Sequence, residues 1–418
     1  MIERCSRPAQ RGAVLPMVAL SLAVLLGFVG LVIDVGGMFV AKTELQSATD
    51  SCALAASQEL DGAADALTRA TSAGMTAGNF NKVRYQRASA AIVAGDIVFS
   101  DALNGSYSKA FAPVANAAYA KCTHASSGMA NYLIQLAGAP ATNSVSAVAV
   151  AMRSHAQSTC PMPIGVRQRG TATAPNYGFT VGEWVTMLYN PTKNVTSEIG
   201  WYNLDGSTNA AETKNEVAGN GYCGSKVGDS VGTPGAKVSV DDEWNARFGI
   251  YKNNGDPATS SMRPDFTGYA YTTANWQNPS PQNAYAGTKA VGSDATAASF
   301  MTKRIAFASY GDTSALVTDG DTITGLSLKG GYKALASPGA GGQHQTLGMS
   351  RRILLTPVIS PASKIIDYAC MLMLQPISGT GTSVQLEFIG NASAAGSPCT
   401  AAGRPGGATG PLVPTLVQ

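Results

Sequence analysis

The feature that most constrains this chain is a run of twenty residues, 14–33, without a charged side chain (VLPMVALSLAVLLGFVGLVI). An α-helix rises about 1.5 Å per residue, so the run covers about 30 Å, the hydrocarbon thickness of a bilayer. Arg4, Arg7 and Arg11 precede it, opposed only by Glu3, and Asp34 closes it. Basic flanks stay on the cytoplasmic side of a span, which predicts an N-terminus inside and the bulk of the chain outside. Two plainer readings compete. A cleaved signal peptide has an apolar stretch of roughly 7–15 residues followed by a small-residue site, and no A-x-A follows directly here. A buried core helix seldom has this length with such flanks. Pro16 falls in the first turn, where its missing N–H costs little. Ala23, Gly27 and Gly30 place small residues along the span, which lets helices approach in lipid, although small residues are common in spans generally.

The helical pattern continues outward. Residues 42–60 contain neither Pro nor Gly. Leu45, Ala48, Cys52, Ala55 and Ala56 share a face by three- and four-residue spacing, while Lys42, Gln46, Asp50 and Ser57 can point elsewhere. A continuous rod over 14–60 is about 70 Å long. Its outer half offers a narrow, alanine-rich stripe for something to pack against.

Arg11, Gly12, Asp34, Gly36, Leu45, Gln46, Ala48, Asp50, Ala53, Leu54 and Ala55 form the pattern RGA, then VIDVGG, then FVAKTELQSATDSCALAA. This pattern resembles the N-terminal segment of TadG-like Flp pilus-assembly proteins of the bacterial tight-adherence (Tad) machinery. CPMPIGV, NARFGIY, RPDFTGYAY, EFIGNASAAGSPC and VPTLVQ resemble long members of that family more loosely. The resemblance implies a single-pass anchor in the bacterial inner membrane, N-terminus cytoplasmic and bulk periplasmic. It implies membrane lipid and other Tad/Flp pilus-assembly proteins or pilins as partners, and no catalysis. Two features depart from related patterns. If Gly12 were a prepilin cleavage glycine, Met17 would stand where prepilins carry glutamate, so cleavage before Ala13 is not expected. The D-x-S-x-S string of a von Willebrand A metal site is absent; Asp205-Gly206-Ser207-Thr208-Asn209 and Asp312-Thr313-Ser314 come nearest and fail.

Charged residues make up 13% of the chain, against about a quarter in ordinary globular proteins. The 46 Gly and 21 Pro favour turns and strands beyond the rod. Net charge is +3 without a basic stripe, so nucleic acid is not an expected partner. The expected fold class is membrane-anchored α+β: one N-terminal transmembrane helix extended into a pilin-like or ferredoxin-like layer, then a β-rich distal domain. The boundaries are a cytoplasmic tail at 1–12, the span at 13–36, the extended helix plus α+β layer at 37–153, and a loop-rich domain at 160–418. In the first domain, 92–100, 117–125 and 144–153 read as strands. Residues 128–138 read as a helix with Met129, Leu133 and Leu136 on one side. In the second, strands are expected at 179–189, 246–251, 304–309, 351–359, 365–376 and 383–389, the last two flanking an SGTGT hairpin loop. The loop 253–283 reads as functional or disordered by its length, and the tail 396–418 as extended on the surface.

Of seven cysteines, Cys5 precedes the span and six follow it: Cys52, Cys122, Cys160, Cys223, Cys370 and Cys399. An even number outside suits an oxidising compartment, and six cysteines allow fifteen pairings. Cys52 with Cys122 would staple the rod to the first sheet. Proximity in sequence then favours Cys160 with Cys223 and Cys370 with Cys399, free buried thiols being the alternative.

No catalytic, cofactor or metal site is nominated. There is no G-x-S-x-G elbow, the segment 339–342 lacks the GK[ST] of a phosphate loop, and the three histidines lack zinc spacing. The carboxylates Asp241, Asp242 and Glu243, and Asp319 with Asp321, match no complete calcium loop and read as solvated turns. The expected function is a non-enzymatic pilus-assembly component. The alternatives are a surface adhesin whose distal β-rich domain binds a ligand and an enzyme with an unrecognised site.

Overall fold

A computed structural model of the protein describes residues 14–188, 198–204, 210–218, 223–232, 240–253, 255–258, 262–312, 321–328, 330–335, 337–378, 383–394, 397–399, 403–406 and 411–418. Arg4, Cys5, Arg7, Arg11, Gly12, the 205–209 segment, Thr313, Ser314, Asp319 and most of SGTGT lie outside the described residues.

Helix α1 (Val14–Gln58) is a single element of 45 residues. Its first half is long and apolar enough to cross a membrane, with a mean hydropathy of 2.5 over its most apolar stretch. Over 14–33 every residue but Gly30 is exposed. Beyond Asp34 the helix becomes buried along one face at Ala41, Leu45, Ala48, Cys52 and Ala56, the stripe expected from spacing, while Ala55 is half-buried. Helix α2 (Ala66–Phe80) packs back against it. Small side chains permit the approach: a Cβ on Gly78 would lie 2.5 Å from Ile92 Cδ1 and 3.2 Å from the Ala48 carbonyl.

A short hairpin follows, β1 (Lys82–Val83) with β2 (Ala88–Ser89). Then come β3 (Ile97–Ser100), β4 (Tyr119–Ala130) and β5 (Thr142–Thr159). β4 pairs antiparallel with both β3 and β5. The inward residues Ile97, Phe99, Ala120, Cys122, Ala147, Ala149 and Ala151 form one core with Leu45, Ala48, Cys52 and Ala56 of α1. Alternation along the strands thus meets the helical stripe.

Met129, expected in a helix, lies in β4 and pairs with Asn143. The helical signal shrinks to one 3-10 turn at Ile134–Ala137, which Gly138 ends in the left-handed region at φ 89°. Tight turns of this kind rarely run longer.

The distal part is built on a closed barrel. Its strands are β6 (Ile164–Arg167), β7 (Trp184–Leu188), β8 (Ile199–Trp201), and then, after α3 (Ala210–Ala218), α4 (Asp241–Ala246), β9 (Ile250–Lys252), α5 (Phe300–Ile305), β10 (Tyr332–Ala334) and α6 (Gln343–Leu347), β11 (Ile353–Ile359), β12 (Ile365–Met373) and β13 (Ser383–Asn391). The order around the barrel is β11-β12-β13-β7-β8-β6. The expected strand at 304–309 is instead the end of α5 and the turn after it.

The barrel strands are buried on both faces. Leu354, Val358, Met371 and Met373 enter one core; Ile353, Leu355, Ile359, Cys370 and Leu372 enter another with Tyr269, Tyr271, Trp276 and Phe300. The described part of the long 253–283 segment is therefore packing material: Phe266, Tyr269, Tyr271 and Trp276 are at most 1% exposed. Arg352, just before β11, ties this segment to the barrel by donating to the carbonyls of Thr267, Tyr269 and Met373 at 2.7–3.0 Å. Its guanidinium also lies over the Phe248 ring.

The tail does not lie free on the surface. β14 (Gly403–Pro405) and β15 (Leu412–Leu416) pair antiparallel with β5, in the proximal sheet. The unpaired edge of β5 supplies the hydrogen bonds that an extended tail would otherwise seek from water. The chain from 160 onward thus leaves the proximal layer and comes back to it.

Candidate membrane-anchoring site

Where α1 leaves its apolar run, two segments close around it. The carboxylate of Asp34 accepts the backbone N–H groups of Tyr132 at 3.1 Å and of Leu133 and Ile134 at 2.8 Å each. These are the donors that the 3-10 turn beginning at Ile134 cannot satisfy itself, and an anion is their natural partner. Gly30, one helical turn earlier, lies against Leu133. A Cβ at Gly30 would sit 2.3 Å from Leu133 Cβ, so only glycine lets the turn approach.

On the outer side Glu44 accepts the backbone N–H of Tyr85 at 3.0 Å and of Gln86 at 3.2 Å. Arg84, Tyr85 and Gln86 all stand at φ near 60°, a left-handed run that non-glycine residues adopt only when neighbours over-determine it. The Tyr85 hydroxyl reaches the Gly37 level of α1. Arg84 also donates to the Ser127 carbonyl, which links the hairpin to the end of β4.

Farther out, Cys52 of α1 is bonded to Cys122 of β4 with Cα atoms 6.2 Å apart. Cys160 is bonded to Cys223 and Cys370 to Cys399. The α1–α2 turn then plugs into the distal part. Glu59, Asp61 and Asp65 surround Arg69 and Arg304, all five nearly inaccessible to solvent. Burial pushes the Glu59 carboxyl up, against the pull of Arg69 and Arg304. Burial also works to raise Asp61, but the two arginines hold it below the usual carboxylate range. Ser72 and Thr76 of α2 donate to the carbonyls of Gln345 and Thr346 at α6, and Glu59 accepts the Ser350 N–H at 3.0 Å.

Of the three small residues singled out for packing in lipid, Ala23 is exposed and Gly27 has open space around it. Gly30 is occupied by a contact within the same chain. Asp34, noticed in sequence only as the end of the apolar run and part of VIDVGG, organises the turn at 132–134. A lone acid immediately after an uncharged run was the available signal. Asp241 and Asp242 stand in the first turn of α4, and Asp242 accepts from the Tyr332 hydroxyl; they serve the fold there.

No curated protein and no solved structure matches the chain. The part that carries the apolar run, Asp34, the alanine stripe and the start of α2 does find relatives: residues 12–71 match the family of putative Flp pilus-assembly TadE/G-like proteins.

Proposed function

We propose that this protein is a non-enzymatic component of Flp/Tad pilus assembly, anchored in the bacterial inner membrane by residues 14–33. Its N-terminus is cytoplasmic and its body periplasmic, where it anchors or adapts the pilus through contacts with other assembly proteins or pilins. The observation that carries the reading is the coincidence of the family match at 12–71 with a helix whose first twenty residues have almost no protein partner. Exposed apolar side chains on that scale need a non-aqueous environment. Three disulfides suit an oxidising compartment.

The test combines localisation with phenotype. Alkaline extraction should leave the full chain in the membrane pellet, and Cys5 should resist impermeant thiol reagents in intact cells. Deleting the gene should abolish Flp pili, with restoration by the full chain. Normal piliation in the deletion strain, or a soluble form beginning near Lys42, overturns the reading.

A further inference from the structure

We propose that the proximal body stands directly on the bilayer through a two-part foot: the 131–138 turn reaches the hydrocarbon boundary, and the basic β1–β2 hairpin overhangs anionic phospholipid headgroups, with the Tyr85 side chain reaching down to them. The inference rests on residues 14–33 being the membrane span.

Depth carries the argument. Gly30 lies three residues inside the end of the apolar run, about 4–5 Å below its edge. Leu133 is packed on Gly30, and the backbone on either side of it is bound to Asp34. Whatever bilayer contains the span therefore meets the 131–138 turn at the same level. The turn suits that place. Tyr132 is 75% exposed and Leu133, although packed on Gly30, keeps about a third of its surface open, and aromatic side chains favour the membrane–water interface. Backbone groups near hydrocarbon must be satisfied from within. Asp34 takes three N–H groups, the Ala141 carbonyl takes that of Asn131, and the Asn131 side chain donates to the Pro140 carbonyl.

The hairpin sits one step higher. The Tyr85 hydroxyl reaches Gly37, four residues beyond the run and about 6 Å outside its edge, at headgroup level, while the hairpin backbone is held at Glu44, eleven residues beyond the run and about 16 Å outside that edge. Lys82, Arg84, Tyr85 and Arg87 are all exposed on this overhanging hairpin, and residues 82–89 contain no acidic side chain. Glu44, the nearby acid, is bound to the hairpin backbone. Phe39, on the same stretch of α1, is 69% exposed. Aromatic and apolar groups at the boundary with cations just above them match an anionic lipid surface.

The experiment uses the full chain with Cys5→Ser, reconstituted in phosphatidylcholine–phosphatidylglycerol vesicles. Single cysteines at Tyr132, Tyr85, Leu22 or Val291 carry an environment-sensitive fluorophore, with the three disulfides left oxidised. Lipids brominated near the glycerol end of their chains should quench the label at 132 strongly, and lipids brominated near the terminal methyl should quench the label at 22, which lies close to the middle of the run. The label at 85 should be blue-shifted relative to that at 291, and the label at 291 should keep its full emission. A quenched label at 22 with an unquenched label at 132 overturns the foot and leaves the span standing. An unquenched label at 22 removes the span and the foot together. Quenching at 132 that disappears as protein density rises assigns the surface to a protein neighbour and overturns the proposal. Brominated phosphatidylglycerol should quench the 132 label more than the same fraction of brominated phosphatidylcholine. Lys82→Gln with Arg84→Gln and Arg87→Gln should equalise the two; equality in the unsubstituted hairpin overturns the headgroup assignment.

Discussion

Arg304 and Asp65, 239 residues apart in the chain, form a two-pronged pair: Nε to Oδ2 at 3.0 Å and a terminal nitrogen to Oδ1 at 3.1 Å. Both side chains are 5% exposed or less, and the pair joins the segment before α2 to α5. Removing one partner from such a pair leaves a buried charge and costs about 3–5 kcal/mol. Arg304→Ala should lower stability to that extent in denaturant titrations. A loss under about 1 kcal/mol would show that water reaches the cluster and screens it.

Cys52 and Cys122 close a loop with a sequence separation of 70. In the chain-entropy model such a closure contributes about 4 kcal/mol. Cys52→Ala with Cys122→Ala should lose most of that, and non-reducing peptide maps of the parent should contain the 52–122 link. A free thiol at Cys122 in the oxidised protein would mean that α1 and β4 are arranged differently.

Asp34→Ala leaves the amides of Tyr132, Leu133 and Ile134 without their acceptor. A fully buried orphan costs about 1–3 kcal/mol; these three amides are partly buried, and together their loss should open the 3-10 turn. Hydrogen exchange at 131–138 should accelerate by orders of magnitude while β4 and β5 stay protected. Unchanged exchange at those three amides would refute the role given to Asp34. Gly30→Leu should have the same local effect by expelling Leu133.

Glu387 is fully buried, and burial pushes its carboxyl up to about 7 against the pull of the N–H groups of Tyr285, Trp184 and Ala284. The unfolded group has an ordinary value near 4.5. Between the two the folded state holds more protons, so unfolding releases one. Stability from this group is therefore complete below about pH 4.5 and declines as pH rises through 7, by on the order of 3 kcal/mol at most. Unfolding free energies across pH 4.5–8 for the parent and Glu387→Gln should diverge with that sign. Parallel curves would mean that the three donors already keep the carboxylate ionised.

α1 was legible because its two signals are local: an uncharged run, then small residues at three- and four-residue spacing that the α2 glycines and the sheet can approach. The strands around Cys122 and 145–149 were legible for the same reason, through alternation. The return of β15 to β5 was not, because pairing across about 260 residues leaves no periodicity in either segment. The barrel's second core was hidden too. Tyr269, Tyr271 and Trp276 sit in a stretch rich in Asn, Ser and Gly, where the aromatic spacing follows no helix or sustained strand pattern. At the candidate site, Gly30 looked like a residue for contact with another helix; its actual neighbour comes from a turn a hundred residues later, which only the fold brings there.

The pairing of both β14 and β15 with β5 has a mechanical consequence. The barrel is suspended from the proximal sheet by two chain crossings, one leaving after β5 and one arriving at β14, rather than hung on one linker. A body held by a single peptide connection can swivel about it, and a pull on it loads one point. Two crossings set into the same strand oppose rotation and share tension, so torque on the barrel is passed to the sheet, through Cys122 to α1, and so to the helix that would stand in the membrane. A body fixed in this way resists being turned as well as being pulled, which is the difference between a rope and a bracket.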